Sequence, residues 1–348
     1  MIRPASNTHS DSQNVDLAHI QKGRRSYFLP WCGLILSSSL ACFFALAIGS
    51  VAQADFNLII DLRLPRVLTA FACGGLLALA GALLQALTGN ALAEPYLLGV
   101  SGGASSGALL VMMGVGWAAV GEVSVLLGAS IGALLSMLLL FLLLRWLHDE
   151  GTNEYSDAAF VSDHATRLVL VGVMLATSYS ALISLFLLVT PTERMPGMIF
   201  WMMGDLGAVT LPWLAIFTFF LCGLLMPWLS HRVNILILGE DKAYTLGLSV
   251  KRLRYLLILI ASVATASSVA TAGMIGFVGM VVPHMLRVWW GNDQRFLLPA
   301  SLFFGGTFLT IADLIARVIL APAQLPVGII TAFLGAPIFL WLLRYRRV

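Results

Sequence analysis

Two residues of opposite charge, Asp313 and Arg317, lie four positions apart within a long apolar run of the sequence. On an α-helix this spacing, with the acid first, places both side chains on one face in the favourable order for an ion pair. An ionisable residue inside an apolar segment often marks a functional site. The alternative is a mutually neutralised pair whose arginine reaches the lipid headgroups, and the residues alone favour neither reading.

Two further arginines, Arg63 and Arg66, stand in the sequence RLPR at the start of another apolar run. If the apolar runs cross a membrane, Arg63, Arg66 and Arg317 all lie at span ends on the same face. Guanidinium groups collected in this way could receive acidic side chains of another protein. We treat these three arginines as a candidate docking surface.

His284 follows Pro283 in the sequence GFVGMVVPHMLR. A histidine inside an apolar segment could relay protons. However, no carboxylate or second histidine lies within one helical turn of His284, and we expect a structural hydrogen bond instead. Pro283 is expected to break or kink its helix.

Residue patterns typical of catalysis or metal binding are absent from the sequence: it has no paired carboxylates, nucleophile motif or His/Glu cluster. The 4 cysteines all fall in apolar runs without paired spacing, which is typical of small buried hydrophobic residues. No lysine follows a glycine, so there is no phosphate-binding loop of the Walker type. We expect no catalytic residue, metal or cofactor in this chain, and any ATP and Mg²⁺ must be bound by another polypeptide.

A charged, helix-sized segment, residues 237–255 (ILGEDKAYTLGLSVKRLRY), separates two apolar runs. Acidic residues at its start suit the positive end of a helix dipole, and Gly247 suits the left-handed position that ends a helix. The segment predicts a helix of about two turns, in which Ala243 and Leu246 share a face small enough to enter a groove on another protein. An amphipathic turn lying on lipid headgroups is the alternative, and it needs no partner. The candidate contact residues are Gly239, Glu240, Asp241, Lys242, Ala243, Leu246 and Gly247.

The composition requires a membrane around these residues. Of the 348 residues, 59% are hydrophobic and only 11% are charged, whereas soluble domains carry about a quarter charged residues. We predict an all-α integral membrane protein with about ten transmembrane helices, comprising a polar tail at 1–28 and one domain at 29–346. Runs long enough to cross a bilayer occur at 29–51, 64–87, 96–116, 123–146, 167–190, 209–230, 254–273, 275–290, 297–317 and 326–343.

The basic residues predict the orientation of the spans. Only Arg63, Arg66, Arg194 and Arg317 fall on one face, and the other 16 of the 20 Lys and Arg residues fall on the opposite face or in the tails. Because basic residues accumulate on the cytoplasmic side, both termini are expected to be cytoplasmic. The net charge of +3 is too small to indicate a nucleic-acid partner.

Three glycines four residues apart, Gly99, Gly103 and Gly107, lie in the sequence GVSGGASSGA. On a helix they form a smooth ridge that allows close approach of another helix. A nucleotide-binding glycine loop would need a preceding strand, and none is predicted here.

Five blocks of sequence resemble successive signatures of the FecCD-type permeases, the membrane subunits of ATP-driven importers for iron–siderophore, haem and cobalamin complexes. The blocks follow the family's order from about 63 to 343, and together they are highly specific. The resemblance implies the ten-span, BtuC-like bundle of type II importers in a bacterial inner membrane. The blocks are RLPRVLTAFACGGLLALAGALLQALTGNALAEPYLLGVSGGA, FWMMGDL, LGEDKAYTLGLSVKR, GMIGFVGMVVPHMLR and LPVGIITAFLGAPIFLWLL.

The resemblance also implies partners and roles. A permease dimer, formed with a copy or a paralogue, would assemble with two cytoplasmic ATPase subunits and an extracytoplasmic substrate-binding protein. The segment 239–248 matches the family's coupling helix, which docks on the ATPase. Arg63, Arg66 and Arg317 match arginines that meet glutamates of the binding protein, and the fifth span would line the pathway at the dimer axis.

Two departures from the family pattern are visible. Asn90 is followed by Ala91 where the family usually has proline, so this bend is expected to be less rigid. The loop at 148–166 is longer and more acidic than usual, so we assign no gate residues.

The expected mechanism is alternating access driven by ATP in partner subunits, with an iron–siderophore as the broadest expectation for the cargo, and cobalamin or haem as alternatives. A secondary transporter working alone is the rival reading. Such a protein would be expected to carry several ionisable relays within its spans and often inverted repeats, and neither is evident. A third reading, a membrane-embedded enzyme, is not supported, because the sequence contains no recognisable set of catalytic residues.

Overall fold

The computed structural model describes residues 27–49, 57, 59–115, 121–149, 157–207, 209 and 211–345, and within them the chain forms twelve α-helices and no strand. The predicted tail at 1–28 lies almost wholly outside the described residues, as does the centre of the acidic loop at 148–166. The helices are α1 (Phe28–Ala47), α2 (Leu64–Thr88), α3 (Val100–Val115), α4 (Glu122–Asp149), α5 (Asp157–Val189), α6 (Met195–Met202), α7 (Trp213–Ile237), α8 (Glu240–Thr245), α9 (Val250–Ala272), α10 (Val278–Trp290), α11 (Gln294–Val318) and α12 (Val327–Tyr345).

Ten of these helices coincide with the ten expected spans, which confirms the all-α membrane fold. Seven of them, among the described residues, are long and apolar enough to cross a bilayer by themselves, namely α1, α2, α4, α5, α7, α9 and α11. α3 and α12 contain shorter apolar stretches, and α10 has only 13 residues. The two helices without a matching span are α8, which lies in the charged segment, and α6, which the apolar pattern does not reveal.

α2 is the central helix of the bundle. It packs against α7, α9, α10 and α11, and its side chains are almost all buried from Arg66 to Gln85. Small residues make this crowding possible. A side chain at Gly81 would overlap the carbonyl group of Gly279 in α10, so the two backbones touch where both helices carry glycine.

α3 and α4 form a second close pair through the predicted glycine ridge. Gly103 and Gly107 of α3 face Gly132 and Gly128 of α4 at backbone contact distance. Gly99 lies outside α3, at the end of the 3₁₀ turn Pro95–Leu98, where it packs against α5. The ridge on α3 itself is therefore two glycines long.

Pro283 lies inside α10, which runs from Val278 to Trp290, so the expected break does not occur, and the alternative of a kink stays a prediction. Proline removes a single hydrogen bond here, the one to the carbonyl of Gly279. The adjacent His284 is buried, and its ring lies 5.9 Å from the ring of Phe339 in α12. The histidine thus sits in a packing position between two helices.

The outer helices present large apolar side chains to their surroundings. α4 exposes leucine and isoleucine along its length, and α1 does the same with leucine and phenylalanine. α1 is attached to α11 by a hydrogen bond of 2.7 Å between the hydroxyls of Ser38 and Thr307 and by edge-to-face packing of Trp31 on Phe296. Such surfaces would cause aggregation in water and are satisfied by lipid chains.

Candidate functional surfaces at the two ends of the bundle

The charged segment forms a short, well-terminated helix, α8, between α7 and α9. Its end is closed by two hydrogen bonds, from the N–H of Gly247 to the carbonyl of Tyr244 at 2.9 Å and from the N–H of Leu248 to the carbonyl of Ala243 at 3.0 Å. This is the Schellman arrangement, which requires a left-handed residue, and Gly247 supplies it with φ of 78°. The helix and its stop follow the sequence prediction within one residue.

The outward face of α8 differs from the expected one. Leu246 is 62% exposed, but Ala243 is completely buried, so these two residues do not form a shared exposed face. The reason is that α8 lies against the end of α7 and the start of α9, and Ala243 fills that contact. Tyr244, which is 57% exposed, stands with Leu246, Asp241 and Lys242 on the accessible side.

The opposite end of the bundle contains the arginine cluster, which we define as Arg63, Arg66, Asp313 and Arg317. Arg66 at the start of α2 donates to Asp313 of α11, from Nε to Oδ1 at 2.9 Å and from Nη2 to Oδ1 at 2.8 Å. Arg317 brings its Nε to 3.0 Å from Oδ2 of the same carboxylate, which is the expected pairing of residues four apart. Asp313 therefore joins two arginines, and only one of these links was visible in the sequence spacing.

The remaining contacts of the cluster reach α1. Arg63 donates to the carbonyls of Leu46 and Ala47 at 2.9 and 3.0 Å, and Arg317 donates to the carbonyl of Ala45 at 3.0 Å. Carbonyls at a helix C-terminus lack intrahelical partners and carry partial negative charge. The cluster thus fastens the ends of α1, α2 and α11 to each other.

Burial distinguishes this cluster from a simple surface patch. Arg63, Arg66 and Arg317 are only 7%, 8% and 3% exposed, and Asp313 is fully buried. Asp313 and Arg317 are therefore not an isolated pair whose arginine reaches out of the bundle toward lipid headgroups. The cluster holds three guanidinium groups and one carboxylate, which binds Arg66 and Arg317, so positive charge is in excess among these four residues.

A cleft of about 300 Å³ opens beside Arg66. Its polar lining includes Asp205 and Gln324, and Gln324 accepts a hydrogen bond of 2.6 Å from Nη1 of Arg66. The cleft therefore gives access to Arg66, with the carboxylate of Asp205 in the same lining. Sequence spacing gave no signal for Asp205 or Gln324.

The connection between α2 and α3 contains a second polar contact that the sequence analysis missed. Glu94 accepts a hydrogen bond of 3.0 Å from the N–H of Phe277, and the hydroxyl of Tyr96 accepts one of 2.5 Å from the N–H of Ile275. Burial raises the pKa of the Glu94 carboxyl, and the bond from Phe277 opposes this shift in part. These contacts satisfy N–H groups before α10, in the manner of a cap supplied by another segment.

The exposed face of α5 differs chemically from that of the lipid-facing helices. It carries the hydroxyls of Thr177, Ser178 and Ser184 among apolar side chains, and each bonds back to a carbonyl of its own helix at 2.8–2.9 Å. The exposed face of α4, by contrast, is mainly leucine and isoleucine. α5 therefore offers weakly polar groups on a surface that no described residue covers.

α8 and the arginine cluster lie at opposite ends of α11. The first turn of α11 meets the last turns of α7 through the hydrogen bond from the N–H of Gln294 to Asn234, 2.9 Å long, and α8 follows directly after α7. Asp313 and Arg317 are near the other end of α11, roughly 30 Å away at 1.5 Å per residue. No group of three or more metal-binding side chains occurs among the described residues.

Comparison with known proteins places this architecture in a family. The model of the FecCD transport family matches residues 31–345. The chain is 35% identical over 348 residues to the vitamin B12 import system permease protein BtuC of Vibrio parahaemolyticus, covering 96% of this chain and 98% of that protein. It is 33% identical over 305 residues to the hemin transport system permease protein HmuU of Yersinia pestis, covering 86% of each.

A solved structure agrees with these matches. A metal-chelate type ABC transporter in an inward-facing conformation superposes with a TM-score of 0.77 at 31% identity, covering 92% of this chain and all of that one. The bundle, the order of its helices and nearly the whole length of the chain are thus shared with transport permeases. The chain belongs to the FecCD transport family.

Proposed function

We propose that this protein is the permease subunit of a binding-protein-dependent ABC importer that moves a metal chelate, in the first instance an iron–siderophore, into the cytoplasm. The observation that carries the proposal is α8, a short, well-terminated helix that stands on the end of the bundle with Tyr244 and Leu246 exposed. Both are large apolar side chains open to a protein partner, and tyrosine is one of the residue types that most often carry binding energy at interfaces.

In this proposal α8 is the contact to a separate ATPase subunit. α8 packs on both α7 and α9, and α9 packs on α2 at the centre of the bundle. A force applied to α8 therefore reaches the core through two helices. This chain lacks a Walker-type phosphate loop, and the nucleotide energy comes from the partner.

The arginine cluster is proposed as the base of the docking surface for a substrate-binding protein. Its excess positive charge favours acidic side chains of a partner, and the cleft beside Arg66 gives them access. Because the arginines also hold three helix ends together, docking at this cleft would act directly on the ends of α1, α2 and α11.

A second permease subunit, a copy of this chain or a paralogue, is proposed to cover α5. Hydroxyl groups on an otherwise uncovered helix face suit an aqueous path better than lipid. With each hydroxyl already bonded to its own backbone, the face offers a smooth, weakly polar wall. Such a wall gives little intrinsic affinity for cargo, so selectivity resides in the binding protein.

The identity of the cargo rests on the relatives. The two relatives described above are named for vitamin B12 and hemin, and the superposable structure is of a metal-chelate type transporter. Cobalamin and haem are therefore the alternatives to an iron–siderophore. All three are bulky metal chelates, which agrees with a pathway formed between two subunits.

Reconstitution of the chain into proteoliposomes tests the proposal. Uptake of a metal chelate should require the ATPase subunit, the binding protein and internal ATP. The variant Tyr244→Ala/Leu246→Ala should lose most ATP-driven uptake without a change in thermal unfolding, because both side chains are exposed. Arg344→Gln, which changes an exposed residue in the last turn of α12, is the matched control and should transport normally.

The rival reading predicts the opposite pattern. A secondary transporter would take up its substrate in response to an ion gradient with no ATPase present, and the α8 variant would be as active as the control. Either result would eliminate the importer proposal.

A further inference from the structure

We propose that the chain carries a binding site for the headgroup of an anionic phospholipid at the end of the bundle that bears α8. The site is formed by Trp228, His231 and Arg232 of α7 and by Arg295 of α11, which we call the basic–aromatic patch. It is separate from α8, from the arginine cluster and from the exposed face of α5.

The patch is a preformed arrangement of cationic and aromatic groups. The guanidinium carbon of Arg232 lies 3.5 Å from the centre of the Trp228 ring, close enough for a cation–π interaction. Arg295 donates from Nη2 to Nδ1 of His231 at 3.2 Å. These contacts hold two arginine side chains beside the same two turns of α7.

Both arginines lack an anionic partner in the part of the chain that the structure describes. Nη1 of Arg232 is turned away from solvent and has no hydrogen-bond partner there. The carboxylate nearest in sequence to Arg295 is that of Asp293. It accepts hydrogen bonds from the side chain of Asn234 at 2.8 Å and from the backbone N–H of Arg295 at 3.0 Å, and not from the Arg295 guanidinium. A phosphate group would supply the anion that the exposed Arg295 and the partly exposed Arg232 lack.

The position of the patch indicates that the phosphate belongs to a lipid. On the same side of α7, one turn before Trp228, Leu224 is 79% exposed, as expected for a residue in contact with acyl chains. Trp228 itself is 50% exposed, which is typical of the interface where the ring is in contact with both chains and headgroups. A ligand at Arg232 would thus continue directly into the hydrocarbon layer.

Aromatic residues surround this level of the bundle. Tyr27, just before α1, stacks on Phe296 of α11 at 4.7 Å, and Trp290 at the end of α10 packs against the same ring at 5.6 Å. Tyrosine and tryptophan at one level of a bundle are typical of the membrane interface. This agrees with a patch at the headgroups, where basic groups on the cytoplasmic side commonly select anionic lipids.

The test is native mass spectrometry of the full chain released from nanodiscs of equal parts dioleoyl phosphatidylglycerol and dioleoyl phosphatidylcholine. The wild type should retain phosphatidylglycerol in preference to phosphatidylcholine. Arg232→Gln and Arg295→Gln should each lower that preference about fivefold, the effect of about 1 kcal/mol per basic residue near an anionic membrane. Arg344→Gln, at the same end of the bundle but outside the patch, should not change it.

In the comparison of variants, three results would overturn the proposal: no preference in the wild type, an unchanged preference in Arg295→Gln, or an equal loss in Arg344→Gln. Arg295 is exposed, so its variant should fold even if Arg232→Gln does not, and Arg295→Lys should keep most of the preference. Millimolar inorganic phosphate distinguishes the two sources of the anion. If it displaces the retained phosphatidylglycerol, the patch is an anion site and not a lipid site.

Discussion

Removal of the Asp313 carboxylate is the most informative perturbation of the bundle. Asp313 is fully buried and is the only acidic member of the arginine cluster. In Asp313→Ala, Arg66 loses hydrogen bonds of 2.8 and 2.9 Å, and Arg317 loses a carboxylate oxygen at 3.0 Å. Two buried cations would then face each other without an anion.

The expected size of the effect follows from this geometry. Breaking a buried ion pair by removing one partner typically costs about 3–5 kcal/mol, because the remaining charge stays desolvated. For a chain of this length, we expect the unfolding midpoint to fall by about 4–7 °C. Asp313→Asn keeps an oxygen acceptor for Arg66 and should lose roughly half as much.

Thermal unfolding followed by intrinsic tryptophan fluorescence in detergent measures this directly. Asp205→Ala is the matched control, because its partly buried carboxylate borders the same cleft and accepts from the N–H of Gly207 within its own loop. Replacing Arg66 and Arg317 by methionine in the Asp313→Ala background should restore part of the loss, since apolar groups then replace the whole ionic cluster. A midpoint for Asp313→Ala equal to that of Asp205→Ala would refute the reasoning.

Two further predictions concern packing and protonation. Gly107→Ala should lower the unfolding midpoint, because the new methyl group meets the carbonyl of Gly128 in α4. The control is Gly114→Ala in the same helix, whose methyl group meets nothing within 4 Å and which should gain up to about 1 kcal/mol of stability from helix propensity. Similar midpoints for both variants would contradict the close α3–α4 contact. Glu94→Gln should unfold at a higher temperature than the wild type near neutral pH, because burial raises the pKa of the Glu94 carboxyl. A carboxyl whose pKa is raised in the folded state contributes stability below its unfolded pKa of about 4.3, and that stability is lost as pH rises through the folded pKa. The difference in unfolding temperature between Glu94→Gln and the wild type should therefore shrink toward pH 4. A difference that does not depend on pH would show that the carboxyl is not desolvated.

The bundle was largely predictable from the sequence because lipid imposes a simple rule on each helix. Runs such as 64–87 and 297–317 differ from α2 and α11 by only a few residues. Short helices escape this rule. α6 spans eight residues, too few for an apolar run, and its position depends on contacts such as the carbonyl of Met203 against Gly328.

The site was predictable where its information is local. The Asp313–Arg317 spacing and the stop at Gly247 depend on neighbours within one helix, and both are present. The contact of Arg66 with Asp313 joins residues 247 positions apart, and the bond from Phe277 to Glu94 joins residues 183 apart. No helical periodicity reports such contacts, and the burial of Ala243 was missed for the same reason, since it depends on how α8 lies on α7 and α9.

A site-specific crosslink from α8 tests the central claim most directly. With a photoreactive residue in place of the exposed Leu246, light should join the permease to a nucleotide-hydrolysing subunit of the same transport system, and the yield should change when ATP is added. The same residue in place of the exposed Leu224 in the lipid-facing part of α7 should give no such product. ATP-driven uptake that continues normally while the α8 residue never crosslinks to that subunit would contradict the claim.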